Sequence, residues 1–259
     1  MDLTTGAIDH EQLTDTVAGL RAPGCPETGE VRVGPFDLEY RRPRALATAL
    51  ELLFGKGIYD VDRLAEPQLV IDGGSWLGLS VLRLRQLFPA ATVIAFEPDP
   101  EIVPILRRNL DRNGAGDVLV VDAALAGRVG PATFRSTGSD NGGFNPGIRG
   151  REITVERRRL SEFVTGPVSL LKLNIEGAEA EVIDELGDLL GTVDQVLIEY
   201  HGFAELPQSL HRILAKLDTH GLTYVVSHFD ERNQACVPPL RLDHDYRYFL
   251  LIYARRLGL

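Results

Sequence analysis

The chain is poor in the residues that staple small folds together. Among its 259 residues only Cys25 and Cys236 are cysteines, and neither belongs to a Cys-x-x-Cys pair. A reducing cytoplasm is therefore the expected compartment. Lysine is also scarce: only Lys56, Lys172 and Lys216 occur, and every other basic residue is arginine. No apolar run approaches the roughly 18 residues of a membrane span. Met1-Asp2-Leu3-Thr4-Thr5 has neither the basic region nor the apolar core of a secretory leader. Positive charge is outweighed, with a formal net charge of −10 and a pI of about 5.1, which argues against nucleic acid as a partner. There is no internal repeat, no low-complexity tract, no His-x-x-x-His pair and no dense carboxylate set, so a metal-free site is expected.

What the chain does have begins at Leu69. The stretch Leu-Val-Ile-Asp-Gly-Gly-Ser-Trp-Leu-Gly-Leu-Ser runs from a buried strand end, Leu69 to Ile71, through Asp72, Gly73, Gly74 and Ser75 into a helical pattern. Glycine permits a tight turn and close backbone approach to a ligand, and the helix start offers unspent N–H donors. Asp72, Gly74 and Gly78 read D-x-G-x-x-x-G, which differs from the G-x-G-x-x-G of dinucleotide enzymes. A carboxylate at the strand end would repel a pyrophosphate, so the ligand expected there is cationic or zwitterionic. A second acid follows. Thr92 to Phe96 is β-rich and ends at Glu97-Pro98, with Glu97 nineteen positions beyond Gly78. An acid at the end of the second strand, about 20 residues past a glycine turn, can bind both ribose hydroxyls. Pro98 lacks an N–H and ends the strand.

Downstream of Leu69, strands and helices alternate, which predicts an α/β fold with a mostly parallel sheet covered on both faces. Expected strands are Leu69–Ile71, Thr92–Phe96, Val118–Val121, Ser169–Leu173, Gln195–Glu199, Thr223–Val226 and Tyr248–Ala254. Expected helices are Leu77–Leu87, Pro100–Asn113, Ala178–Leu190 and Pro207–His220. Residues 1–66 form a predicted extension: a short helix lined by Ile8, Leu13, Val17 and Leu20 and ended by Gly19 and Pro23, a hairpin around Gly34-Pro35, and an amphipathic helix over Ala45–Phe54. The extension is compatible with a cap or a homodimer contact. Residues 67–259 are the expected main domain. The rhythm breaks at two extra strands, Ala132–Arg135 and Glu152–Glu156, which flank a polar loop from Ser136 to Gly147. Mobile loops on a sheet's carboxyl edge carry function, and Ser139 and Asn141 are candidates to reach a ligand.

The segment Lys172-Leu173-Asn174-Ile175-Glu176-Gly177-Ala178-Glu179 gives the most specific signal. A lysine inside an apolar strand is costly unless paired, and Lys172, Asn174, Glu176 and Glu179 crowd one strand end. The block resembles the K-I-D-V-E-G-A-E hallmark of the FkbM-type methyltransferases, and the Asp72 and Glu97 motifs resemble those of Rossmann-like methyltransferases generally. The resemblance covers about residues 68 to 202. It implies a Rossmann-like seven-stranded sheet whose last strand inserts antiparallel. It also implies S-adenosylmethionine as donor and O-methylation of a hydroxyl on a natural product or sugar. In that family Asp72, Gly73, Gly74, Ser75, Gly78, Glu97, Pro98 and Glu176 would belong to the cofactor-binding set. Asp122 would accept from the adenine amine, and Ala123 would offer its backbone N–H. Asn174 departs from the family's aspartate, and an amide can neither take a proton nor hold a divalent ion strongly.

A hydroxyl acceptor needs a base near neutrality, and imidazole fits. His201 is the first candidate and His228 the second, with Glu199 orienting or sharing the proton and Lys172 and Asn174 nearby. Other acceptor chemistries on the same scaffold are N-methylation and methylation of a phenol. A cyclase that retains the donor without transfer is a further alternative, and an NAD-linked dehydrogenase is disfavoured by the Asp72 spacing.

Overall fold

The computed structural model describes residues 8–64, 66–229, 239 and 244–257. Cys236 and the Met1–Thr5 stretch lie outside the described residues. The chain forms two compact units, residues 1–122 with 138–140, and residues 123–137 with 141–259.

In the first unit, α1 (His10–Arg21) buries Leu13, Val17 and Leu20, the stripe expected from their spacing, and it runs through Gly19 rather than ending there. Strands β1 (Thr28–Val33) and β2 (Phe36–Arg41) pair antiparallel with Val33 opposite Phe36. Gly34 in the connecting turn has a φ of 55°, a conformation glycine adopts without penalty. Helix α2 (Pro43–Leu50) starts on a proline, whose missing N–H costs nothing in a first turn. The predicted helix to Phe54 instead widens into a π-turn over Glu51–Gly55, where the Lys56 N–H reaches the Glu51 carbonyl at 2.7 Å.

Three parallel strands follow: β3 (Leu69–Gly73), β4 (Thr92–Phe96) and β5 (Leu119–Val121). Asp72 lies beside Ala95, and Phe96 beside Val121. Between them run α3 (Leu79–Leu87) and α4 (Val103–Arg112). Helix α3 starts two residues later than its apolar pattern suggests, because Trp76 and Gly78 are both left-handed, at φ 43° and 91°. The N-terminal hairpin belongs to this unit because α4 clasps it. Buried Asn109 accepts from the Glu39 N–H at 2.7 Å and donates to the Glu39 and Leu77 carbonyls at 3.0 and 2.9 Å. One turn on, Asn113 exchanges two bonds of 2.9 Å with the Asp37 backbone.

The second unit opens with β6 (Ala124–Leu125), β7 (Gly130–Ser136) and β8 (Arg151–Arg158), in the order β6-β8-β7. The latter two are the expected extra pair, antiparallel, around a small core of Ala124, Phe134 and Val155. The polar loop between them is anchored at its centre. Gly143 exchanges two backbone hydrogen bonds with Arg135, Phe144 packs edge-on against Phe134 at 5.5 Å, and Asn145 is buried. The expectation of a wholly mobile loop missed this anchor, because one aromatic among glycines carries no periodic signal.

The rest of this unit comprises β9 (Val168–Leu173), α5 (Glu179–Leu186), β10 (Gln195–Phe203), α6 (Leu210–Thr219), β11 (Thr223–Ser227) and β12 (Arg247–Arg255). Strands β9 and β10 are parallel, while β12 inserts between β10 and β11 antiparallel to both. Helix α5 stops at Leu186 where left-handed Gly187 opens a 3₁₀ turn, four residues before its predicted end. Strand β10 continues four residues past the predicted Glu199, because its pairing with β12 runs on to Phe203 opposite Arg247. The parallel strands β3, β4 and β5 of the first unit and the mixed strands β9 to β12 of the second, with their helices, make the Rossmann-like α/β architecture.

Candidate functional site

In the first unit the glycine turn after β3 is held by backbone bonds to the end of β4. The N–H groups of Gly74 and Ser75 donate to the Phe96 carbonyl at 3.1 and 2.9 Å, and Gly78 N–H closes on Ser75 at 2.8 Å. Gly74 at φ 80° and Gly78 at φ 91° take left-handed conformations that a side chain would oppose. Asp72 is fully buried and accepts from the Ser80 hydroxyl at 2.5 Å, while Ser75 Oγ donates to the Asp72 carbonyl at 3.1 Å. A carboxyl group at a buried strand end requires hydrogen-bond partners of this kind.

Glu97, next to Pro98, is buried and fixed from both sides. Its Oε2 accepts the Trp76 N–H and its Oε1 the Asp99 N–H, each at 2.9 Å. These contacts orient the carboxylate at the strand end. Asp72, Gly73, Gly74, Ser75, Gly78 and Glu97 are thus one structural unit, as the sequence places them. Trp76 was not foreseen. It is buried, and its indole Nε1 has no hydrogen-bond partner among the described residues. The glycine turn, two fixed acids and an unanswered N–H suit a ligand with hydroxyls, a cationic group and oxygen acceptors, which fits S-adenosylmethionine. Asp122, the expected adenine contact, lies just past the end of β5. Its exposed carboxylate is gripped at 2.6 and 3.1 Å by Arg107. Ser139 is half-buried in the short 138–140 segment that belongs to this unit.

The second unit carries the other candidate residues. Lys172 is buried in β9, level with Leu197 on β10. After β9 the chain turns through Glu176 (φ 54°) and Gly177 (φ 100°) into α5. A non-glycine residue in that region is strained, and here the strain accompanies a contact. His201 Nε2 meets Glu176 Oε1 at 3.2 Å, and Nδ1 meets Glu179 Oε1 at 2.9 Å. All three side chains are buried. Glu179 also accepts from the Ile175 and Gly177 N–H groups at 3.1–3.2 Å. Phe203 stacks on the imidazole at 5.7 Å, and Phe249, opposite it on β12, meets it edge-on at 5.1 Å.

Burial is the largest single influence on His201 and pulls its pKa down. The charges of Glu176 and Glu179, with their hydrogen bonds, overrule it and hold the imidazole well above its ordinary value. The sequence pointed to Glu199 as the acid that orients or shares the proton of His201. The carboxylates on His201 are Glu176 and Glu179, so Glu176 is engaged with the imidazole. Glu199 lies two residues back on the same strand face, opposite Leu251. His201 also lies inside β10 rather than at its tip. The i, i+3 spacing of Glu176 and Glu179 at a helix start was the available signal, but only folding brings β10 beside it.

His228 follows β11 and is exposed, with Ser227 Oγ on its carbonyl at 3.2 Å. Asn141 is exposed and accepts from Thr137 Oγ1 at 2.7 Å. Ala123 is buried. The Asn174 side-chain oxygen is buried without a hydrogen-bond partner among the described residues. No helix among the described residues is long and apolar enough to cross a membrane.

The family model described as the methyltransferase FkbM domain matches residues 72–226. Among curated proteins, Methyltransferase 1 of Beauveria bassiana (strain ARSEF 2860) is 28% identical over 171 residues, covering 54% of this chain and 68% of that one. Hexuronic acid methyltransferase AglP of Haloferax volcanii is 31% identical over 136 residues, covering 50% of this chain and 56% of that one. The match thus spans about two thirds of the first relative and little more than half of the second. Among solved structures, M. jannaschii TYW2 in complex with AdoMet shares the fold, with a TM-score of 0.51, 12% identity, and coverage of 91% of this chain and 90% of that one.

Proposed function

The chain belongs to the FkbM methyltransferase family, and from that premise we propose that it transfers a methyl group from S-adenosylmethionine to a hydroxyl oxygen of a small, sugar-bearing or natural-product acceptor. Bound, that donor supplies an electrophilic methyl on a sulfonium centre. The chain's own residues do the remaining work. Glu97, held by the Trp76 and Asp99 N–H groups, binds the ribose hydroxyls. Asp72, buried and steadied by Ser80, adds negative charge that favours a cationic ligand, while the turn at Gly74 and Gly78 lets backbone approach it. Methyl transfer is then largely a matter of positioning.

A hydroxyl nucleophile must lose a proton, and the single observation that carries this choice of acceptor is the buried carboxylate–imidazole–carboxylate cluster of Glu176, His201 and Glu179. Its three buried groups meet at 2.9 and 3.2 Å, with the His201 pKa raised, against burial, by the two acids, and we take this cluster as the acceptor of that proton. Asn174, whose side-chain oxygen lacks a partner, is suited to receive a hydroxyl proton as a hydrogen bond. The similar protein named for hexuronic acid favours a sugar-bearing acceptor over an amine. The test is incubation with methyl-labelled donor and a panel of sugars, hydroxylated natural products and matched amines. Label on oxygen supports the proposal; label on nitrogen alone overturns it in favour of N-methylation, and donor bound with no label transferred favours a non-methylating role.

A further inference from the structure

The glycine turn of the first unit contains a polar group that the fold leaves unanswered, and the residue bearing it is doubly expensive. Trp76 is only 7% exposed, and its indole Nε1 is buried without a hydrogen-bond partner among the described residues. An indole N–H is a donor and nothing else, and leaving such a donor buried and unpaired costs about 1–3 kcal/mol. The backbone adds to this. At φ 43°, Trp76 occupies the left-handed region, where a bulky aromatic is an outlier and the strain is of order 1–3 kcal/mol. Packing explains neither cost. Phenylalanine would fill apolar space without an N–H, and glycine or asparagine would accept the backbone angle more cheaply. The placement supplies the missing reason. Trp76 sits between Gly74 and Gly78, and its own backbone N–H donates to Glu97 Oε2 at 2.9 Å.

We propose that the Trp76 indole N–H is a cofactor-binding group that donates a hydrogen bond to an oxygen of S-adenosylmethionine. This rests on the reading that the Asp72–Glu97 turn holds that donor. Two oxygens present the required chemistry: the methionyl carboxylate and the ribose hydroxyls. In either case one residue serves the site twice. Its backbone orients the acid and its side chain contacts the ligand, which accounts for a strained tryptophan where a smaller residue would relax the turn.

Trp76 is the only tryptophan in the chain, so indole signals report on this residue alone. In ¹⁵N-labelled protein the single indole N–H cross-peak should move downfield on saturation with S-adenosylhomocysteine, and its solvent exchange should slow. This needs no variant. Calorimetry then compares wild type with Trp76→Phe, which keeps a ring and deletes the donor. The expected result is roughly 5- to 50-fold weaker binding of S-adenosylhomocysteine, the range for one hydrogen bond to a neutral or charged acceptor. The ligand-free variant should melt no lower than wild type, since an unanswered buried donor has been removed. 5′-Methylthioadenosine, which lacks the amino-acid portion, separates the two acceptors. If its affinity is unaffected by the substitution the carboxylate is the partner, and if it weakens in parallel the ribose is. An indole peak unmoved in saturated wild-type protein, or equal affinities for wild type and variant, overturns the proposal while leaving the donor site intact. Absence of binding to wild type overturns the reading of the turn itself.

Discussion

At the scale of the residue, His201 experiences two opposed influences. Removal from water disfavours its charged form, and two acids at 2.9 and 3.2 Å favour it; the acids prevail. A group whose pKa rises on folding binds its proton more tightly in the folded chain, so protons stabilise the fold through it. That contribution is complete below the ordinary histidine value of about 6.5. It is lost as pH climbs through the raised folded value. Urea denaturation of wild type and His201→Gln at a series of pH values should therefore show the largest stability difference on the acid side, shrinking as pH rises. A difference independent of pH would mean that the ring is held by packing against Phe203 and Phe249 alone. Catalysis gives a second readout. Loss of a proton-handling group typically costs about 10²- to 10⁴-fold in turnover, so His201→Ala should lower kcat by that order with donor affinity nearly unchanged. Equal losses in both would assign the residue to folding instead.

At the scale of the element, α4 and β2 show how a peripheral hairpin becomes part of a βα core. Asn109 is fully buried, and its three hydrogen bonds tie the Glu39 backbone and the Leu77 carbonyl to one side chain. Arg108 adds a two-pronged pair to Glu39, at 2.7 Å for each bond, and holds that carboxyl below its ordinary pKa. That pair is solvent-exposed and contributes little to stability. The asparagine matters more, because truncation leaves buried backbone groups without partners. Asn109→Ala should destabilise the protein by about 2–3 kcal/mol, read as a lower urea midpoint, whereas Arg108→Ala should change it by less than about 1 kcal/mol. Comparable losses would show that the clasp is electrostatic. Since Leu77 directly follows Trp76, Asn109→Ala should also loosen the glycine turn and weaken donor binding.

At the scale of the whole molecule, a ligand that binds only folded protein stabilises it by mass action, by about 2.7 kcal/mol at one hundred times its dissociation constant. S-adenosylhomocysteine should raise the melting temperature in a concentration-dependent way, and NAD should not. A shift with NAD instead would reverse the assignment of the Asp72 spacing. The acidic balance, −10 over the chain, is compatible with a small neutral or zwitterionic acceptor and opposes a polyanionic one.

Local chemistry was sufficient to set the geometry of the glycine turn and its two acids. The turn from Asp72 to Gly78 and the acid at Glu97 depend on strand ends, glycine freedom and a fixed spacing, all of which act within a short stretch and are therefore written in the sequence. The alternation of strands and helices and the two extra strands were legible for the same reason, whereas the antiparallel final strand was implied by the family resemblance. Element ends were not, where a distant strand set them: β10 runs to Phe203 because β12 is there to pair with it. That extension puts His201 inside a strand, beside Glu176 and Glu179. The partners of an imidazole, the fate of a buried indole N–H and the asparagine clasp on the hairpin all depend on which side chains meet across many residues. A hydrogen bond depends on distance and direction in space, which sequence spacing constrains only within a single turn or strand, so these contacts were decided by the tertiary fold alone.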